Sequence, residues 1–340
     1  VICVSPPLFG AALSVIRSRL GWRRPATGVI VQDLYSRGLR ETGVTNGLAE
    51  RIVRGLESLT LRLCDSVSVI HDGFRAELVD CLHVDRHRIR TVRNWTHVNS
   101  PDPSASAAFR AAHGWNDDEV VVVHAGNMGY KQGLENVIAA ASLAADVGAR
   151  ARFVMLGDGS QRASLEQIGA GLPTLEFLDP VAAHEFPAVL GAADVLLVNQ
   201  RPGIAQMSVP SKLTSYFKSA KPILAATDSD GLTARELASS GAGGWVPANR
   251  PDLLLSEAIR LGTNPGLAAE LGEAGLRYCA ELLSEDAALD LYEQWIHDLA
   301  NSHRSAWKRR GRWSIARMSG EHRPGSSTPR ETDRAGRGAT

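Results

Sequence analysis

Cysteine is scarce in this sequence: Cys3, Cys64, Cys81 and Cys279 are scattered over 340 residues with no CxxC pair. That spacing excludes a dense disulfide framework or a cysteine-based zinc site, and it fits buried thiols in a reducing compartment. Long apolar runs are missing too. No stretch approaches about eighteen uninterrupted apolar residues, and the first residues lack the basic-then-apolar order of an export signal. The expectation is therefore a protein without a membrane span. Net charge is also absent, with Lys+Arg and Asp+Glu at 37 each, so the overall balance points to no partner. No recognised nucleic-acid-binding module accompanies the basic residues, and nucleic acid is not an expected partner.

What is present is the composition of a globular protein, 44% apolar and 22% charged. At 340 residues, two domains of ordinary size, each with its own core, are expected. The charge balance hides an asymmetry: residues 301–340 hold ten Lys or Arg against three Asp or Glu. The chain starts at Val1 inside an apolar strand-like run, which raises the expectation that the front of a domain is missing.

Hydrophobic period divides the chain. Up to residue 100, short apolar runs alternate with amphipathic segments: Val1 to Val4, a helix near Phe9 to Leu20, "TGVIVQD", a helix over Gly47 to Leu63, "DSVSVI", a helix near Phe74 and "IRTV". Asn94 to Ser106 is rich in Ser, Pro and Asn and reads as a linker. The rhythm then restarts with the strand "VVVVHAG" and continues as a full βα series. The expected division is a partial first Rossmann-like domain (1–100), a second one (101–285), a C-terminal helix returning toward the first domain (286–302) and a disordered basic tail (303–340).

In an open parallel sheet, ligands bind off the carboxyl ends of the strands. Three stretches of the second domain lie on that edge. "GNMGYKQG" places Gly126, Gly129 and Gly133 directly after a strand, with Lys131 among them. Glycines let a backbone approach an anion and lysine adds a mobile positive charge, although a solvated βα loop would read the same way. "LGDGSQ" is a Gly-x-Gly turn that Ser160 could cap, and it lacks the remainder of a dinucleotide fingerprint. In "SVPSKLTSYFKSAKPILAAT", Pro210 and Ser211 suit a helix start with Ser211 as N-cap. The same helix start, with Lys212 beside it, could hold a diphosphate if Lys131 converges there.

The ordered succession "GNMGYKQGLENV", "GDGSQRASLEQ", "LEFLDPV", "AADVLLV", "PSKLTSYFKSAKPILAA" and "GAGGWVPANRPDLL" resembles the second domain of retaining family-4 glycosyltransferases. These have the GT-B fold, two Rossmann-like α/β domains facing a cleft, and the likeness is to the branch that builds colanic-acid-type exopolysaccharides. "VQDLYS", "IHDGFRAEL" and "VRNWTHV" resemble the later part of that family's first domain. The resemblance implies hexosyl transfer, with retention, from a nucleotide-diphosphate sugar to a glycan or lipid-linked acceptor, with a UDP-sugar favoured over a GDP-sugar and no metal required. Carried over, Lys131 matches the diphosphate-binding lysine and Gly126 begins its loop. Ser211, Lys212 and Leu213 match the helix start facing the diphosphate. Pro180 and Val181 match the turn against the nucleobase, and Asp33 falls near the reacting centre.

The sequence also departs from the family pattern. Two glutamates expected around the helix start are Met207 and Ser215, the usual arginine is Asn127 and an acceptor-side histidine is Gln32. Ser215 would offer ribose only a short hydrogen bond. With the front of the first domain missing, a remnant that binds a nucleotide sugar without transferring it remains an alternative. An epimerase on the same fold would need carboxylates around Met207 to Ser215, and the sequence has none there. Finally, "ALSVIRSRLGWRRP" sets Arg17, Arg19, Arg23 and Arg24 beside Leu13, Ile16, Leu20 and Trp22, and "WKRRGRWSIAR" repeats that mix in the tail. The first reads either as a contact to an anionic membrane surface or as an ordinary helix with an exposed basic face, and the second reads first as a disordered end; a membrane contact would place the protein in the cytoplasm at the inner face of the plasma membrane.

Overall fold

The computed structural model describes residues 1–340 apart from 6, 21–23, 37–38, 40–46, 205–209 and 319–340, and the side chains of 302–318 are likewise outside it. Two parallel sheets organise the chain. The first is formed by β1 (Ile2–Ser5), β2 (Gly28–Val31), β3 (Ser66–Val69) and β4 (Ile89–Thr91), in that order. Helices α1 (Leu8–Leu20), α2 (Gly47–Leu63) and α3 (Asp72–Asp80) are the crossovers between its strands. The expected helix over Gly47 to Leu63 forms with those bounds, and the core packs Val15, Val29, Val67, Val69, Phe74 and Leu78 between sheet and helices.

The supposed linker is shorter than its composition suggests. Helix α4 (Pro103–Ala112) begins inside it, because Asp102 accepts the Ala105 N–H at 3.0 Å and Pro103 occupies a first-turn position that lacks an amide partner anyway. The second sheet then forms from β5 (Val120–Ala125), β6 (Ala151–Leu156), β7 (Leu175–Leu178), β8 (Val195–Asn199), β9 (Ile223–Thr227) and β10 (Gly243–Pro247). Its order is β10-β9-β8-β5-β6-β7 and all its pairs are parallel. Helices α5 (Glu135–Asp146), α6 (Arg162–Ile168), α7 (Phe186–Ala192), α8 (Lys212–Lys218), α9 (Leu232–Ser240), α10 (Pro251–Gly262) and α11 (Pro265–Leu282) follow along the chain. Two apolar layers result, one on each sheet face, which is why β5, β8 and β9 are buried along their whole length and mostly apolar rather than alternating.

β10 was not evident in the sequence. Its first residue, Gly243, runs so close to β9 that a Cβ there would fall 1.8 Å from the Ile223 carbonyl oxygen. The glycine that looks like a strand breaker is therefore what lets the strand pair.

The last helix, α12 (Glu285–Met318), runs past residue 302, where the sequence reading places the start of a tail. It crosses back to the first sheet. The Trp295 indole N–H donates to Ser66 Oγ at 2.7 Å, and its ring lies over Gly28, where any Cβ would meet it at 2.7 Å. No helix among the described residues is long and apolar enough to cross a membrane.

Candidate functional site

Strand order in the second sheet reverses between β5 and β8, and a crevice opens at the carboxyl ends of strands that diverge this way. Every candidate loop of the second domain leaves from that edge. The Gly126 to Gly133 loop follows β5, Asn199 ends β8, and the Pro210 to Lys212 turn opens α8.

The β5 loop is held from three sides. Gly126 N–H donates to Leu156 O at 2.8 Å, Met128 N–H to Asp158 O at 2.8 Å, and Gln161 N–H returns to Met128 O at 2.9 Å. The "GDG" turn is thus the bed on which the loop lies. A Cβ on Gly157, whose φ is +135°, would fall 2.1 Å from the Gly126 carbonyl oxygen, so only glycine fits. From β8, the buried Asn199 donates to the carbonyls of Gln132 and Gly133 at 2.7 and 2.9 Å and accepts from Asn136 at 2.8 Å. Arg201 completes the hold, stacked 3.9 Å over the Tyr130 ring and paired with Glu135 at 2.6 Å. Lys131 therefore sits on a braced loop, with its side chain exposed.

Across this edge lies a cleft of about 1150 Å³ between the two domains. Its walls include Asp33 and Trp95 to Val98 from the first domain and linker. The second domain contributes the loop from Ala125 through Lys131 together with Ser211, Lys212 and Ser215. Of the predicted residues, the cleft thus brings together Asp33, Gly126, Asn127, Lys131, Ser211, Lys212 and Ser215. Packing in the cleft wall raises the Asp33 carboxyl above its ordinary value, and the nearby Lys131 charge opposes that rise.

Three predicted residues lie elsewhere. Leu213 is fully buried in the core and its N–H already donates to Pro210 O at 3.0 Å, so it offers the cleft no donor. Pro180 is exposed outside the cleft, and Val181 packs against the core of its own domain. Two expected caps are also absent: Ser211 stands at the helix start with αR backbone and no side-chain cap bond, and the N-cap position of α6 is Gln161 rather than Ser160, again without a side-chain cap bond. Ser215 is engaged, its hydroxyl 3.0 Å from that of Thr96 in the linker. Gln32 accepts from Asn94 at 3.0 Å. Met207, Trp22 and Arg23, and the side chains of the basic-aromatic stretch in the tail, lie outside the described residues. Arg19 is turned inward, paired with Asp65 at 2.8 Å, and is removed from the basic face expected on α1.

Sequence reasoning passed over two features. His124, inside the apolar run of β5, is 1% exposed and 3.0 Å from the Lys212 amine. Trp95 Nε1 and Gln132 Oε1, both on residues lining the cleft, are enclosed without a hydrogen-bond partner in the structure. Among the described residues, no group of three or more His, Cys, Asp or Glu is placed to hold a metal ion.

Comparison with known proteins adds to this geometry. Residues 119–264 match the family described as glycosyl transferases group 1. Among curated proteins, WbjE of Pseudomonas aeruginosa, named a probable glycosyltransferase, is 29% identical over 258 residues, covering 73% of this chain and 62% of its own. WcaI of Escherichia coli K12, named a putative colanic acid biosynthesis glycosyl transferase, is 29% identical over 226 residues, covering 64% of this chain and 54% of its own. The chain therefore spans less than two thirds of either relative. Among solved structures, Anabaena HepE in complex with UDP superposes with a TM-score of 0.71 at 15% identity, covering 88% of this chain and 78% of that one. WaaG, a glycosyltransferase involved in lipopolysaccharide biosynthesis, superposes at 0.62 and 15% identity, covering 82% and 80%. The chain has the GT-B fold, and within it residues 119–264 match the glycosyl transferases group 1 family.

Proposed function

We propose that this protein transfers a hexose from a nucleotide-diphosphate sugar, with a UDP-sugar preferred, to a glycan or lipid-linked acceptor in cell-envelope polysaccharide synthesis, with retention. One observation carries the reading: the braced Lys131 loop and Lys212 face the same interdomain cleft as Asp33 of the other domain. Two cations beside glycine backbone suit a diphosphate, and a carboxylate across the gap suits a hydroxyl acceptor. The relatives named above support this reading, and a HepE structure that holds UDP-glucose supports the donor class.

In this scheme the acceptor oxygen attacks the anomeric carbon on the face that the diphosphate leaves. The carbon–oxygen bond to the diphosphate breaks, and the acceptor's proton passes to a diphosphate oxygen. The protein's task is then to stabilise charge on the leaving group, and a preorganised donor in such a site contributes about 3 kcal/mol. Lys131 has that role, and Asp33 orients the acceptor hydroxyl. No metal-dependent step is invoked.

Isothermal titration with UDP and GDP tests the reading. Wild-type protein binds UDP, and Lys131→Ala weakens it by more than tenfold; unchanged affinity in the variant removes Lys131 from the site. Transfer is then read by mass on extracted lipid-linked sugars, and binding without transfer under any donor would favour a non-catalytic binder.

A membrane surface belongs to the same reading. On α1, Phe9, Leu13, Ile16 and Leu20 form an exposed row at helical spacing, and α2, packed beside it, exposes Leu48, Ile52 and Leu59. Arg17, Arg51 and Arg54 lie on the same two helices. Apolar rows flanked by arginine suit an anionic lipid surface from which a lipid-linked acceptor would be drawn.

A further inference from the structure

The floor of the cleft contains a pair that phosphate binding by itself does not require. His124 is the fifth residue of β5 and its ring is sealed inside the second domain at 1% exposure. The Lys212 amine lies 3.0 Å from its Nε2 and 3.5 Å from its Nδ1. A Cβ on Gly126 would touch the last two atoms of the Lys212 side chain at 3.4 Å each, so the amine rests directly against the glycine that opens the anion loop. Lys212 also borders the smaller hollow under that loop, shared with Lys131, Asn199 and Gln200. A lysine reaching for bulk solvent would extend outward, whereas this one is folded back onto a histidine.

Two nitrogen bases at hydrogen-bond distance in an enclosed site cannot both carry a proton, because the like charges would repel at short range in a poorly solvated place. Burial, then the Lys212 charge, push the His124 ring far below its ordinary range, while contacts with the backbone of Asn127 and Leu197 oppose the shift. The ring is therefore neutral and acts as acceptor. Burial also pulls the Lys212 amine down to about 7. The other titratable groups facing this space are Asp33 and His97 from the first domain, Lys131 and Tyr130 from the β5 loop, and Tyr216 beneath. Tyr216 is occupied with the backbone of Ala125. Asp33 has Lys131 as its nearby charge, and among the described residues no carboxylate is paired with Lys212.

We propose that His124 is a positioning residue of the donor site: its neutral ring holds the Lys212 amine against Gly126, and an entering diphosphate draws a proton onto that amine. This rests on the donor reading above and deepens it. The cleft floor is then close to neutral when empty and becomes cationic when filled, so donor capture is coupled to proton uptake. The sign follows from linkage. Below the empty-state value Lys212 is already charged and affinity is at its plateau. As pH rises above that value, each binding event must bring in a proton and affinity falls, until the raised value of the filled state is passed.

Two measurements decide it. In ligand-free protein carrying labelled lysine, NMR reads Lys212 directly, with Lys212→Arg identifying its signal. The signal titrates near neutrality in the wild type. It moves to lower pH in His124→Leu, which strips the ammonium of its acceptor, and returns toward the wild-type position in His124→Gln. The second measurement is calorimetry with UDP-glucose, whose diphosphate is esterified at both ends and keeps a fixed charge. Wild-type affinity falls by up to about tenfold per pH unit as pH rises above about 7, with protons taken up from buffer. Lys212→Arg, always charged, shows a flat profile. A Lys212 signal that titrates in the ordinary lysine range, or one unmoved by His124→Leu, overturns the proposal. Lys212 behaving as described while neither UDP-glucose nor GDP-mannose binds at any pH overturns the donor reading and the coupling, leaving the pair itself to stand on NMR.

Discussion

The two domains have the same parallel architecture and are stabilised in different ways. Both apolar layers of the second sheet are built from its own residues, from Phe109 to Leu283, joined at the margin by Val98. The first sheet's core includes Leu232, which belongs to the other domain, and its strand β2 is covered at Gly28 by Trp295 and Leu299 of the C-terminal helix. The second domain is self-contained, and the first leans on it. This dependence places the cleft: residues that seal the first domain's core also fix its distance from Lys131.

The strongest point of that dependence is polar. Glu236 on α9, 3% exposed, receives Arg93 and the His71 Nε2–H at 3.2 Å from the first domain, and the Tyr278 hydroxyl at 2.9 Å from its own. His71 Nδ1 accepts from Gly73 N–H at 2.9 Å, which fixes the tautomer that donates. Glu236→Ala takes the carboxylate partner from the half-buried Arg93, leaving it beside the Tyr278 ring, and is expected to cost about 3 kcal/mol, read by urea unfolding near neutral pH. Burial acts to raise this carboxyl, but the bonds from His71, Arg93 and Tyr278 outweigh it and hold it below the ordinary range. A depressed folded value stabilises above the unfolded value and is lost as pH falls through the folded one. The gap between wild type and Glu236→Gln should therefore shrink on acidification below the carboxylate range. A gap that persists there would show that shape, and not charge, joins the domains.

Trp295→Ala tests the apolar side of the dependence at slightly smaller cost. Deleting a ring at 3% exposure that fills the space over Gly28 should destabilise by about 3 kcal/mol. Hydrogen exchange should show the loss in β2 and β3 while β5 and β8 keep their protection. Equal loss in both sheets would mean that the second domain is not self-contained. Ser215→Ala is expected to cost only about 1 kcal/mol, since it removes one bond, to Thr96, at the lip of the cleft. If Ser215 also serves the ribose, the substitution raises the UDP-glucose Kd beyond that of a structural change, and calorimetry separates the two. Phe9→Ser with Leu13→Ser, both on an exposed face, should leave stability within about 0.5 kcal/mol. The double variant should lower co-sedimentation with anionic vesicles severalfold, and unchanged sedimentation would detach the α1 row from any lipid role.

The same contrast explains what the sequence disclosed. The second domain's elements were legible because β5, β8 and β9 are predominantly apolar runs, β5 ending at Gly126 and β9 opening after Pro222, and the Lys131 loop is local in sequence. His124 was hidden by the same property: in a strand buried on both faces, no alternation tells which side chain reaches the sheet edge. The cleft residues Trp95 to Val98 were read as linker because the segment around them, Asn94 to Ser106, is rich in Ser, Pro and Asn, and only topology brings them opposite Lys131. Leu213 was expected to turn its backbone to the diphosphate; its side chain goes to the core on the inward side of α8, and its N–H is engaged with the Pro210 carbonyl. Gly157 was read as a plain turn, since nothing local indicates that the Gly126 carbonyl lies where its side chain would be. Glu236 and Trp295 act across 143 and 229 positions, respectively, and no local pattern marks such partners.

The C-terminal helix has a mechanical consequence. The chain leaves the first domain along residues 92–102 and returns as α12, and the two crossings run side by side where His97 and Glu285 stand 3.9 Å apart. One covalent tether would let the domains swivel freely about a point. Two adjacent tethers act like the paired pins of a door, leaving a single axis of rotation along their line and opposing twist. Spin-label distances across the cleft would then vary along one coordinate and hold constant along the other two.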